Sequence, residues 1–217
     1  MSEQSKHTCQ VFHFDLYGER ENKYQFLQEN TLQTIQWQQL NPQAPQFFFV
    51  PKDFSLQKEY ESGFNICAGM PFYSSGVKTH HDKELVSTNA FISDYNKQYT
   101  YRPLDNQWID YDINKVVRHR YKYMRHLLND NISLIIGPQG QAVGEMPWNV
   151  LFISEYLVDT NIFYRGGGIV FPLYLYPEDG SLETERRANL DEKIWQQINA
   201  AIGRETTPEQ VFDYIYG

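Results

Sequence analysis

Cysteine is nearly missing from this chain: Cys9 and Cys67 are its only two in 217 residues. They are too few and too far apart for a disulfide framework or a zinc site. Long apolar runs are missing too; none approaches the ~18 residues of a bilayer-crossing helix, which excludes a membrane span. The opening Met1-Ser2-Glu3-Gln4-Ser5-Lys6 has no apolar segment, so no secretory signal is expected. These absences point to a soluble, reduced, cytoplasmic protein with no membrane partner. What is present argues against wholesale disorder, since 16% aromatic and only 21% charged residues supply enough apolar area for a core. The length suits one domain, or one domain with a small appendage.

Positive charge is the minority sign, with 19 basic against 27 acidic residues and a net charge of −8. It is also unevenly placed. From Lys97 to His126, seven bases stand against three acids, a balance of +4 that leaves −12 for the rest of the chain. From Pro177 to Gly217, nine acids oppose four bases. A basic island on an acidic chain is a local field that net charge conceals.

Patterning predicts a mixed α/β (α+β) fold, with a central mixed or antiparallel sheet and flanking helices. Gln10–Leu16 alternates with period two and predicts a strand, and Glu21–Leu32 predicts a helix with Tyr24, Leu27 and Thr31 on one face. Phe47–Val50 reads as a short buried run ended by Pro51, and Asp53–Ser62 as a loop or short helix. Strands and a turn are expected within Tyr99–Tyr111, a helix over Arg118–Asn129, and strands at Asn131–Gly137, Asn149–Ser154 and Ile169–Tyr176. Pro172 marks an edge or the end of pairing in the last of these. Asn189 is expected to cap a helix carrying Ile194, Trp195, Ile198 and Ile202 on one face, stopped by Gly203. Thr207-Pro208-Glu209-Gln210 then reads as a capping box with proline at the first helical position. Phe212 and Ile215 of that short final helix are expected to be exposed, as if the chain were meant to continue.

Catalytic signatures are scarce. There is no dinucleotide-binding Gly-x-Gly-x-x-Gly, no phosphate loop and no Gly-x-Ser-x-Gly elbow. Gly166-Gly167-Gly168 reads as a flexible turn, and His80-His81-Asp82 as solvated loop residues without a second cluster at metal-ligand spacing. Asp15 with Glu21-Asn22-Lys23 has the acid-x-lysine spacing of metal-dependent nucleases. An acid at a helix start, favoured by the dipole, explains Glu21 more simply. The basic island carries more. Arg118, Arg120, Lys122 and Arg125 alternate with Tyr121 and Tyr123, and on a helix Arg118, Lys122 and Arg125 would share one face. Such a stripe suits phosphates, with an arginine or two reaching base edges; its bland alternative is a solvated helix face. Lys78, Thr79 and Lys83 add loop donors, as do Arg102 and Asn106, although Tyr101-Arg102-Pro103-Leu104-Asp105 reads first as a structural corner.

An ordered series of blocks resembles a known family. Val11-Phe12-His13-Phe14-Asp15-Leu16-Tyr17-Gly18-Glu19-Arg20, with Lys23-Tyr24-Gln25-Phe26-Leu27 after it, is similar to the "DL-x-G-x-R-x-x-K-Y-x-F-L" segment of fused restriction-modification proteins of type IIG and type ISP. In these the segment ends the adenine-specific methyltransferase domain and precedes the DNA specificity region. Gly76-Val77-Lys78-Thr79 with Asp82 resembles the family's "G-I-x-T-x-x-D" block, and Tyr101-Arg102-Pro103-Leu104-Asp105-Asn106-Gln107 its "Y-R-P-F-D-x-R". Met124–Leu128, Phe171–Pro177 and Phe212–Tyr216 complete the order. Gln107 replaces the usual arginine, and only eighteen residues separate Asp82 from Tyr101, a span longer in the family. The catalytic "N-P-P-Y" motif is absent, since Asn41-Pro42-Gln43 does not match it.

The resemblance implies a target-recognition-domain-like architecture. Residues 1–40 would be the tail of a methyltransferase-like domain, 41–180 the DNA specificity domain and 181–217 a helical segment. It implies recognition of double-stranded DNA on behalf of a methyltransferase domain or subunit, with no catalysis in this chain alone. S-adenosylmethionine would then bind the methyltransferase domain, leaving this chain without a cofactor of its own. Two rival readings are a protein-docking module using apolar ends at Val11-Phe12 and Phe212-Ile215, and a metal-dependent nuclease built on Glu21.

Overall fold

The computed structural model describes residues 9–44, 46–137, 150–163, 167–178 and 180–216, and the chain divides into two units, residues 1–63 and 64–217. In the first unit, β1 (Val11–His13), α1 (Arg20–Glu29), β2 (Gln38–Leu40) and α2 (Gln57–Ser62) follow in order. β1 and β2 pair antiparallel with Val11 opposite Leu40. Phe14 stacks on Phe26 of α1 at 5.5 Å and meets Trp37 edge-on at 6.2 Å. The inward face of α1 therefore carries Phe26, while Tyr24 and Leu27, the residues expected there, are exposed. Phe47–Val50 differs more: all four side chains are exposed and no strand forms. Phe47 takes a left-handed φ of 50°, which interrupts an extended run before it can pair. No described residue of this unit is fully buried.

The second unit runs through α3 (Ile66–Gly69), β3 (Ser74–Ser75), α4 (Asp82–Leu85), β4 (Val86–Ser87), β5 (Asn96–Arg102), β6 (Asp105–Asp110) and α5 (Tyr121–Met124), which continues as a 3₁₀ turn over Arg125–Leu128. β7 (Ser133–Ile136), β8 (Leu151–Ser154), β9 (Leu157–Val158), β10 (Ile169–Pro172), β11 (Tyr174–Leu175), β12 (Arg187–Ala188), α6 (Glu192–Ile202) and α7 (Pro208–Tyr216) complete it. The expected α+β class holds, and the pairing is distributed over two four-stranded sheets. One, in the order β3-β10-β7-β8, is antiparallel throughout. The other, β4-β6-β5-β9, is mixed, because β9 joins β5 in parallel. β11 and β12 form a separate two-stranded ribbon.

The first sheet separates two cores. Successive residues of a strand point to opposite faces, so Ile135 of β7 and Val170 of β10 join Val77, Tyr99, Ile109, Met124 and Leu157 on one side. Their neighbours Leu134 and Phe171 join Met70, Leu173 and Phe212 on the other. Burial on both faces explains why β7 and β10 are apolar runs without alternation. Pro172 ends β10, as its missing N–H requires. Gly76 lets the chain pass close to β9, since a Cβ there would meet the Val158 carbonyl oxygen at 2.5 Å.

Two C-terminal details correct the sequence reading. The cap of α6 is Asp191, whose Oδ1 accepts from the Ile194 N–H at 3.1 Å. Asn189 is instead fully buried, donating to the carbonyls of Phe72 (2.8 Å) and Pro172 (2.9 Å) and accepting from the Phe72 N–H. The capping box of α7 forms as expected, with Thr207 and Gln210 exchanging side-chain-to-backbone bonds of 3.3 Å. Phe212, however, is buried in the second core with Ile215 packed against it. That removes one of the two apolar ends on which the docking alternative rested.

Candidate nucleic-acid interface

The loop leaving the first core at Val77 is placed by two backbone bridges. Val77 pairs in parallel with Asp159, and Lys78 pairs antiparallel with Arg118. Lys78 and Arg118 exchange both backbone bonds, at 3.1 and 3.0 Å, and side chains directly opposite in such a pair lie on the same face. Two cations are thus set side by side, an arrangement that is destabilising without an anion. Neither makes an ion pair among the described residues.

This bridge also overturns the long helix expected from Arg118. Its N–H and C=O are committed to Lys78, and Arg120 has a left-handed φ of 53°, so helix begins only at Tyr121. Arg118, Lys122 and Arg125 therefore do not line one helical face. Arg120 and Lys122 are exposed. Arg125 turns inward: it donates to the Pro177 carbonyl at 2.9 Å, and Glu178 lies 3.7 Å away. Lys122 and Arg125 line a cavity of about 500 Å³ with Phe72, His126, Tyr176 and Arg187. His126 is 2% exposed and accepts from the Tyr176 N–H. Burial first, then the positive charge of Arg125 and Arg187, lowers its pKa to about 4, so its imidazole is neutral at pH 7.

A second cavity of about 400 Å³ is lined by Lys78, His80, His81, Asp82, Lys83, Glu84, Asp159 and Asn161. Lys83 is exposed on α4, whereas Thr79 is fully buried. The Thr79 hydroxyl donates to Asp82 and accepts from the His81 N–H, so it shapes the loop from beneath. The expected corner at Tyr101–Asp105 is built as a network. Tyr101 donates to Asp82 at 3.2 Å, and Arg102 stacks on the Tyr101 ring at 3.9 Å and reaches Asp159 at 3.3 Å. Asn106 is exposed at the start of β6 and accepts from the Thr100 hydroxyl at 2.9 Å.

Asp159, which the sequence reading missed, is the hub. It is 2% exposed and also accepts from the Tyr99 hydroxyl (2.6 Å) and the Asn161 N–H (2.6 Å). Burial raises its pKa, while those two bonds and the Arg102 charge oppose the rise. Its one legible signal was the Asp159-Thr160-Asn161 turn spacing after two apolar residues. Glu21 lies exposed in the first turn of α1, and among the described residues no three His, Cys, Asp or Glu side chains are grouped to hold a metal. Of the glycine run, Gly166 lies outside the described residues, as does Asn149 at the start of the strand expected before Ser154.

The same architecture occurs in known structures. The DrdV–DNA complex solved by cryo-EM matches with a TM-score of 0.66 at 13% identity, over 90% of this chain and 25% of that one. The ATP-dependent Type ISP restriction-modification enzyme LlaBIII bound to DNA matches with a TM-score of 0.59 at 13% identity, over 83% of this chain and 15% of that one. A nuclease-deletion mutant of the Type ISP enzyme LlaGI, in complex with a DNA substrate mimic, gives 0.60 at 15% identity, over 88% and 23%. The chain thus spans a quarter or less of these proteins. No curated protein matches it. The family model described as the Type ISP C-terminal specificity domain matches residues 74–217, which take in both sheets, the second cavity and the Asp159 network. The chain belongs to the Type ISP C-terminal specificity domain family.

Proposed function

We propose that this chain recognises a target sequence in double-stranded DNA for an adenine-specific methyltransferase of a restriction-modification enzyme. The carrying observation is the Lys78–Arg118 pair, two adjacent cations that form no ion pair among the described residues. A DNA phosphate is the anion that resolves their repulsion. Lys83, Arg120 and Lys122 are exposed on the same loop and helix-entry segments and extend the positive field. Asn106 adds a side-chain amide that can read a base edge. Arg102 and Thr79 support the surface from within. The three structural neighbours are complexes with DNA or a DNA substrate mimic, which supports the reading.

In this reading S-adenosylmethionine and the motif that holds the flipped adenine belong to a methyltransferase part outside these residues. The exposed apolar side chains of residues 9–63, Phe12 among them, supply surface for docking to that part. Fluorescence anisotropy with a mixed-sequence duplex pool at two salt concentrations tests the DNA role. Affinity is expected to fall steeply with salt, and Lys78→Ala with Arg118→Ala to flatten the logarithmic salt slope by ~2, about 0.9 per phosphate contact. An unchanged slope and affinity in the double variant would overturn the assignment.

A further inference from the structure

The tip of the β5–β6 hairpin is built against its own backbone preference. Arg102 pairs with Asp105, leaving Pro103-Leu104 as a two-residue turn. The proline ring fixes a negative φ, and Leu104 has a φ of +62°. That is the φ sign pattern of a type II turn, which calls for glycine at its second central position and which hairpins generally avoid. A leucine there is strained, and it is 90% exposed, so no core contact compensates.

The base of the tip is nonetheless firmly held. A bulge falls between Thr100 and Arg102. Arg102 is fixed by Asp159 and by stacking on Tyr101, and Thr100 bonds Ser154 at 2.6 Å as well as Asn106. Tyr101 ties the hairpin to Asp82 in the Lys78–Lys83 loop. Among the described residues four non-glycines have left-handed backbone, and three of them sit on these connected segments: His80 in the loop, Arg120 at the helix entry and Leu104 at the tip. Left-handed residues on three segments bonded to one another, the last at the tip of a rigid base, point to function.

We infer that Leu104 is an apolar wedge that enters between base pairs of the bound duplex, partly unstacking one step and bending the DNA. The inference rests on the DNA-recognition reading above. The occupant follows from charge, because the cations tied to the same hairpin attract a polyanion, and an apolar side chain beside a phosphate backbone finds its apolar partner in the base stack.

The decisive variant is Leu104→Gly, which deletes the side chain and fits the left-handed turn better than leucine does. The chain should melt no lower than the parent, bind a mixed-sequence duplex pool ~10-fold more weakly, and lose the bend seen as end-to-end energy transfer in a doubly labelled duplex. Leu104→Phe, which keeps an apolar wedge, should retain both affinity and bend. If the parent binds and Leu104→Gly matches it in affinity and bend, the wedge is overturned while DNA recognition stands. If the parent binds no duplex even at low salt, both fall.

Discussion

Residues 9–63 and 64–217 use their aromatic side chains in opposite ways. In the first unit Tyr17, Tyr60 and Phe49 are 81%, 87% and 66% exposed, and order comes from a small stack of Phe14, Phe26 and Trp37. In the second, Tyr99, Phe171 and Phe212 are buried on either side of a sheet. Aromatic richness alone therefore says little about where a core lies. Burial depends on whether a second layer exists to cover the first, and among the described residues only those of the second unit supply one.

The sharpest test of that contrast is Phe171→Ala against Phe14→Ala. Emptying a site at 1% exposure should cost ~3–5 kcal/mol in urea denaturation, whereas the half-buried Phe14 should cost under ~1 kcal/mol, the scale of one aromatic pair. Equal losses would mean that the first unit holds a core of its own.

Next in size is a pH effect confined to the second unit. His126 is neutral in the fold, with its pKa lowered from 6.5 to about 4. Below pH 6.5 the unfolded chain takes up a proton that the fold refuses, so stability is complete above that pH and declines as pH falls toward 4. The decline is of order 3 kcal/mol. His126→Gln keeps an acceptor for Tyr176 and should flatten melting temperature against pH across this window. A profile as steep as the parent's would assign the acid sensitivity to carboxylates.

The smallest effect compares helix starts. Asp191 caps α6 through its side chain, while Glu19, at the start of α1, makes no such bond. Asp191→Ala should cost ~1 kcal/mol, measurable by thermal melting, and Glu19→Ala a few tenths. A reversal would show that α1 is held by contacts other than its own turn.

What the sequence disclosed follows the range of the interactions involved. The β5–β6 pair, β7 and the capping box of α7 were legible because aromatic stretches broken by turn residues, apolar runs and i to i+3 capping are local signals. The bridge from Lys78 to Arg118 spans forty residues and leaves no local trace, so local periodicity runs the helix through Arg118 although its backbone is committed to Lys78. Asp159 escaped for the same reason: its partners Tyr99 and Arg102 lie 60 and 57 residues away. For the candidate interface, the identities of the cations were readable, but their pairing was not. Asn189 shows a subtler limit. A residue with the right chemistry for a cap stood two places from the true one, and only the carbonyls of Phe72 and Pro172 distinguish them.

The burial of Phe212 also orders events in time. The second core joins Met70, Leu134, Phe171 and Phe212, so its closing piece is made after the strands it covers as the ribosome works from N- to C-terminus. Strands β7 and β10 can pair earlier, but one face of their sheet stays open to water until α7 has cleared the exit tunnel. During that interval a nascent chain offers Leu134 and Phe171 to any chaperone that binds apolar segments, and the second core cannot close before α7 arrives.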